Sequence, residues 1–99
     1  MISYLRGTII EKYPTRLLLD VNGVGYEINV TVNCSQQIGS TGTNVTILTY
    51  LHVREDSFQL FGFISKDERE LFLQLISIPG IGPKKALAIL SGSSVEDLQ

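Results

Sequence analysis

Six consecutive residues carry the strongest chemical signal in this 99-residue chain: Gly80-Ile81-Gly82-Pro83-Lys84-Lys85. Two glycines one residue apart permit positive φ and let an outside group come close to the backbone. The proline suits the first turn of a new helix, where its missing N–H costs nothing. The amides from Gly80 to Lys84 are then expected to point outward, unpaired, at the positive end of a helix dipole. A phosphate oxygen is the matching acceptor, and Lys84 or Lys85 supplies the formal charge. Ile81, held between the glycines, is expected to anchor the turn to the core. The glycine-lysine-serine/threonine signature of a nucleotide-binding P-loop is absent.

The remaining reactive side chains are sparse. Arg54-Glu55-Asp56-Ser57 reads as a solvated turn whose carboxylates lack a third ligand for a metal. Arg54 either counters a nearby phosphate or pairs with Glu55 or Asp56. His52 has no Asp or Ser arrangement around it, and Cys34 reads as a small buried residue rather than a nucleophile. No catalytic group, metal site or cofactor motif emerges.

Charge and composition narrow the mode of binding. Eight Lys and Arg against ten Asp and Glu give a formal charge of −2, a poor balance for wrapping nucleic acid by bulk charge. Local capture of phosphate by backbone amides stays open. With 43% hydrophobic residues and a mean hydropathy of +0.19, the chain has the makings of a folded core. The apolar runs, such as Leu17-Leu18-Leu19, are far too short for a membrane span. One cysteine cannot build a disulfide framework, which points to a reducing, cytoplasmic setting.

The elements that must position the glycine turn come in two kinds. Strands are expected over 2–12, 16–21, 25–32, 44–53 and 58–63, with Gly7 marking a bulge or sharp bend. Asn22-Gly23 makes the tightest hairpin signal. Asn33 to Thr43 reads as a polar connection with one helical turn near Ser35 to Ile38. Five short strands without a crossover helix suggest a closed barrel; an OB-fold satisfies the pattern, and an SH3-like barrel shares it. In the fourth strand Val45, Ile47, Thr49, Leu51 and Val53 alternate on one face. Leu48 and Tyr50 make the other face partly apolar too, so either another chain or the connection before it is expected to cover that face.

After Phe63 the period changes from 2 to 3.6. Ser65 and Glu68 form a capping box, and Leu71, Phe72, Leu75 and Ile76 share one helical face. The helix is expected to stop near Ser77, before Pro79. A second helix runs from Pro83 to about Leu90, and Ser91-Gly92 ends it. Another capping box at Ser93 to Glu96 starts a helix that the chain's end at Gln99 leaves incomplete, so the sequence reads as truncated. The fold class is thus α+β: a barrel over 1–63 and a helical segment over 64–99.

Leu75 to Leu90, with its apolar, glycine and lysine slots all filled, matches the helix-hairpin-helix pattern, a sequence-independent binder of the DNA backbone. The barrel followed by this motif resembles the RuvA family of bacterial Holliday-junction-binding proteins. The likeness runs through Leu5-Arg6-Gly7, Gly23-Val24-Gly25-Tyr26-Glu27, Val53-Arg54-Glu55-Asp56, Leu60-Phe61-Gly62-Phe63 and Gly80 to Gly92. It implies a five-stranded OB-fold, a homotetramer on four-way junction DNA, and no catalysis of its own. A separate RuvB ATPase would be engaged through a C-terminal domain that is not in this sequence. Gly80, Ile81, Gly82, Lys84, Lys85 and Arg54 would touch DNA, and Glu55 and Asp56 would form an acidic pin at the crossover. The tyrosines Tyr4, Tyr13, Tyr26 and Tyr50, which could stack on bases, then take core or interface roles first. The rival readings are a general DNA- or single-strand-binding module and a non-catalytic fragment of a DNA repair enzyme.

Overall fold

The computed structural model describes residues 2–92. Its strands are β1 (Tyr4–Tyr13), β2 (Arg16–Val21), β3 (Val24–Val30), β4 (Asn44–Val53) and β5 (Phe58–Phe63); its helices are α1 (Val32–Gln37), α2 (Lys66–Ile76) and α3 (Pro83–Gly92). The strands close into a barrel in the order β1-β2-β3-β5-β4. Closure depends on β1, which pairs with β4 over Tyr4 to Thr8 and with β2 from Thr8 onward. Only β3 and β5 run parallel. This five-stranded closed barrel followed by helices is the OB-fold arrangement, and the SH3-like alternative falls away.

The turns follow local chemistry. Asn22 (φ 52°) and Gly23 (φ 91°) close the β2–β3 hairpin with positive φ at both central positions, and the Asp20 carboxylate accepts from the Gly23 amide at 2.8 Å. Gly7 behaves differently from expectation. The ladder shifts between Ile9 and Glu11, so the irregularity sits at Ile10. Gly7 instead lies where β1 passes over β2, and a Cβ there would fall 2.2 Å from the Asp20 carbonyl oxygen. Gly7→Ala is expected to lower stability by about 1–3 kcal/mol, since an overpacked backbone contact must spread; urea unfolding measures it.

The barrel core contains Leu5, Ile9, Leu17, Leu19, Ile28, Val30, Ile47 and Leu60, joined by Cys34 and Ile38 from α1. The 33–43 connection is therefore more than a polar loop with one turn. β3 ends at Val30 because Thr31 leaves the strand to cap α1, accepting from the Cys34 amide through its side chain. Cys34 is fully buried. Burial, with the negative charge of Glu68 as a lesser cause, pushes its thiol from 9.0 up to about 12. The unfolded chain ionises this thiol first, so its contribution to stability is whole below pH 9 and is lost as pH rises toward 12. Urea midpoints at pH 8 and pH 10.5 should differ less in Cys34→Ala than in the wild type.

The outer face of β4 and β5 meets neither of the expected covers. Register pairs Tyr50 with Phe61 and Leu48 with Phe63, and these side chains make a platform on which α2 lies. Phe72 is buried there, its ring centroid 4.8 Å from Phe63, 5.5 Å from Phe61 and 5.6 Å from Tyr50. Ala86, Leu87, Leu73, Leu75, Ile76, Ile81 and Leu90 complete this second cluster. Leu71, expected on the same buried face, stays 42% exposed.

Candidate nucleic-acid interface

The hairpin between α2 and α3 is built by local rules. Ser65 caps α2 by accepting from the Glu68 amide at 3.1 Å. Glu68 reaches past Ser65 to the Ile64 amide, also at 3.1 Å, a variation on the reciprocal capping box. The helix ends at Ser77, whose N–H turns back to Gln74 and Leu75 carbonyls. Ile78-Pro79-Gly80-Ile81 then makes a tight turn: the Ile81 amide donates to the Ile78 carbonyl at 3.1 Å, and Gly80 holds φ 89°. Proline at the second position and a positive-φ glycine at the third are what a type II turn requires.

That hydrogen bond corrects one expectation. The Ile81 N–H is spent inside the turn, and its half-buried side chain anchors the hairpin against the second cluster. Among the described residues, the amides of Gly80, Gly82, Lys84 and Lys85 take no partner, and all four residues are exposed. Gly82 tells most. Its φ is not in the left-handed region, and an added Cβ would meet nothing within 4 Å. Among the described residues nothing packs against that position.

Lys84 and Lys85 stand together at the hairpin, whereas the start of α2 mixes both signs, Lys66 and Arg69 with Asp67, Glu68 and Glu70. Acidic residues sit favourably at a helix start and away from the hairpin. The net charge of −2 therefore coexists with a locally positive end. Lys84 also borders an open groove of about 610 Å³, shared with Gly25, Tyr26, Phe58 and Gln59. This places Lys84 beside the first residues of β5, next to the β4–β5 turn.

The tip of that hairpin is Arg54 to Ser57, closed by the Arg54 amide on the Ser57 carbonyl at 2.8 Å. Arg54, Glu55 and Asp56 are all exposed. Arg54 does not pair with either neighbouring carboxylate; its Nε donates to His52 Nε2 at 3.2 Å. His52 in turn stacks on Tyr50, 6.4 Å between centroids. The carboxylates of Glu55 and Asp56 are left facing solvent. Among the described residues no group of His, Cys, Asp and Glu could hold a metal ion, and no helix is long and apolar enough to cross a membrane.

Of the tyrosines, Tyr50 packs on Phe72, while Tyr4 and Tyr13 are exposed and Tyr26 is half-buried. The capping box at Ser93 to Glu96 lies outside the described residues. Sequence reasoning missed the link between Thr31 and Glu68, whose hydroxyl and carboxylate meet at 2.8 Å. No local signal joins residues 37 positions apart.

Residues 1–62 match the family model described as RuvA N terminal domain, and residues 72–99 match the SAM-like Helix-hairpin-helix tandem. A protein of Chloroherpeton thalassium named Holliday junction branch migration complex subunit RuvA is 50% identical over 99 residues, covering 100% of this chain and 50% of its own length. Its namesake in Pseudomonas aeruginosa (strain LESB58) is 53% identical over 98 residues, covering 99% of this chain and 49% of its own length. That of Chlorobium phaeobacteroides is 46% identical over 99 residues, covering all of this chain and 50% of its own. The chain spans about half the length of the curated relatives it matches.

Proposed function

This chain belongs to the RuvA N-terminal domain family, and we propose on that premise that it is the junction-binding part of a Holliday junction branch migration complex. The observation that carries the reading is the row of free, exposed amides at Gly80, Gly82, Lys84 and Lys85. They grip phosphate oxygens without reading bases, as a helix start does. In this reading residues 1–63 assemble four copies around the crossover, and residues 64–99 hold the DNA arms. A separate ATPase, RuvB, drives migration through a part of the protein outside this sequence, and the chain itself catalyses nothing. The complex works in the cytoplasm, in recombination and repair.

Affinity arises from several hairpins acting on one rigid DNA at high effective concentration. A single copy would hold DNA only at the ~10⁻⁴–10⁻⁶ M of non-specific contacts. Gel shifts with a four-way junction, a linear duplex and a single strand, read beside light scattering, test this. Preference for the junction by an assembled form is expected. Equal binding to all three, or tight binding by a proven monomer, would overturn it. Incubation of labelled junction with Mg²⁺ should yield no cleavage, which separates this reading from a nuclease.

Glu55 and Asp56 serve as the acidic pin in this proposal. Eight carboxylates from four copies would meet where strands exchange, repelling phosphates and keeping separated strands apart. Glu55→Gln with Asp56→Asn should leave stability within about 0.5 kcal/mol, as for other surface changes. The same variant should bind ordinary duplex more readily, narrowing the junction preference; an unchanged preference would remove the pin from the account.

A further inference from the structure

Two of the polar contacts that fasten the helix pair to the barrel meet at the start of α1; a third, from Arg69 Nη1 to the Ser3 carbonyl at 3.1 Å, ties α2 to the chain just before β1. Thr31, fully buried, caps α1 and donates its hydroxyl proton to Glu68 Oε2 at 2.8 Å, in the first turn of α2. The other Glu68 oxygen accepts from the Ile64 amide at 3.1 Å. One residue along, the Val32 amide donates to Ser91 Oγ at 3.1 Å, in the last turns of α3. That amide is one of the orphan donors of a helix start. Adjacent residues thus hold the beginning of α2 and the end of α3. The glycine hairpin lies at the opposite end of the pair.

We infer that Thr31, Glu68 and Ser91 are positioning residues that set the angle at which the hairpin is presented on the barrel. The inference rests on the DNA-binding reading above. The Phe72 cluster resists separation, but apolar contact has little directional preference. Hydrogen bonds do have direction, so these contacts, together with that of Arg69 on Ser3, restrict rotation about the cluster. α2 has 11 residues, a length of about 16 Å. A tilt of roughly 10° about the joint then moves the hairpin amides by about 3 Å, well beyond hydrogen-bond tolerance. One hairpin on a linear duplex can shift along the backbone to recover its contacts. Several hairpins on one junction cannot all do so.

The test compares the wild type with Ser91→Ala, Thr31→Val and Thr31→Ser, the last of which keeps the hydroxyl. Residual dipolar couplings of amides in α2 and α3, against those of the barrel strands, read the orientation. Gel shifts on a four-way junction and a duplex of the same arm sequence read the consequence. Ser91→Ala and Thr31→Val should scale down the helix couplings alone and lower the junction-to-duplex affinity ratio at least tenfold; Thr31→Ser should restore both. Unchanged couplings in Ser91→Ala, a mild change at a half-buried hydroxyl, overturn the joint even if Thr31→Val fails to fold. Altered couplings with an unchanged ratio overturn its part in recognition. A wild type without junction preference would instead overturn the functional reading, with the couplings still deciding the joint.

Discussion

Phe72→Ala should lower stability by about 3–5 kcal/mol, the usual range for removing a buried phenyl ring, and should release the helix pair from the barrel. Phe72 is fully buried, and three rings from two strands surround it at 4.8–5.6 Å. Alanine would forfeit apolar burial and three aromatic contacts, each worth roughly 0.5–1.5 kcal/mol beyond area. Against a total of about 5–15 kcal/mol for a small domain, that loss is decisive for the helical part of the molecule that depends on it. The barrel has its own core, so it should outlast the helices. Urea unfolding followed by circular dichroism should then split into two steps, the helical signal going first. Tyr50, with no tryptophan in the chain to mask tyrosine emission, should report the undocking. DNA binding should fall with the first step although no hairpin residue has changed. A variant within about 1 kcal/mol of the wild type would mean that the cluster does not hold the helices.

Gly82→Val should leave the fold almost untouched and abolish most junction binding. A Cβ at Gly82 meets no atom of the described residues within 4 Å, and its φ lies outside the left-handed region that a branched side chain resists. Stability should therefore change by less than about 1 kcal/mol, the scale of a helix N-cap effect. The added methyls enlarge the exposed turn that carries the free amides of Gly80, Lys84 and Lys85, across the approach that the proposed reading gives a phosphate. If four copies assemble as proposed, losing one hydrogen bond's worth, about 1 kcal/mol, at each hairpin adds to about 4 kcal/mol, a roughly thousandfold weaker complex. Thermal melting and junction titration on the same samples separate the two effects. If the affinity stayed within tenfold of the wild type, the amides at this turn would not be the principal grip.

The difference between these two sites explains how much the sequence could disclose. Hairpin turn, helix caps and strand alternation are decided by neighbours a few positions apart. Asn22-Gly23, Ser65 with Glu68, Pro79-Gly80 and the alternation from Asn44 to Val53 are therefore legible in the sequence, and the strands β2, β4 and β5 lie where their patterns place them. The glycine-lysine turn is legible for the same reason.

What covers the β4–β5 face belongs to tertiary structure alone. Leu48 and Tyr50 announce an apolar surface without naming Phe72 as its partner, and Leu71 has the same periodic credentials as Phe72 yet remains in solvent. Gly7 reads as a bulge, but its need arises from Asp20 on the next strand. The contacts of Thr31 with Glu68 and of Val32 with Ser91 span 37 and 59 positions. Local propensity acts along the chain, over a turn or two of backbone. Burial and hydrogen-bond satisfaction depend on whichever distant segment the folded chain brings alongside.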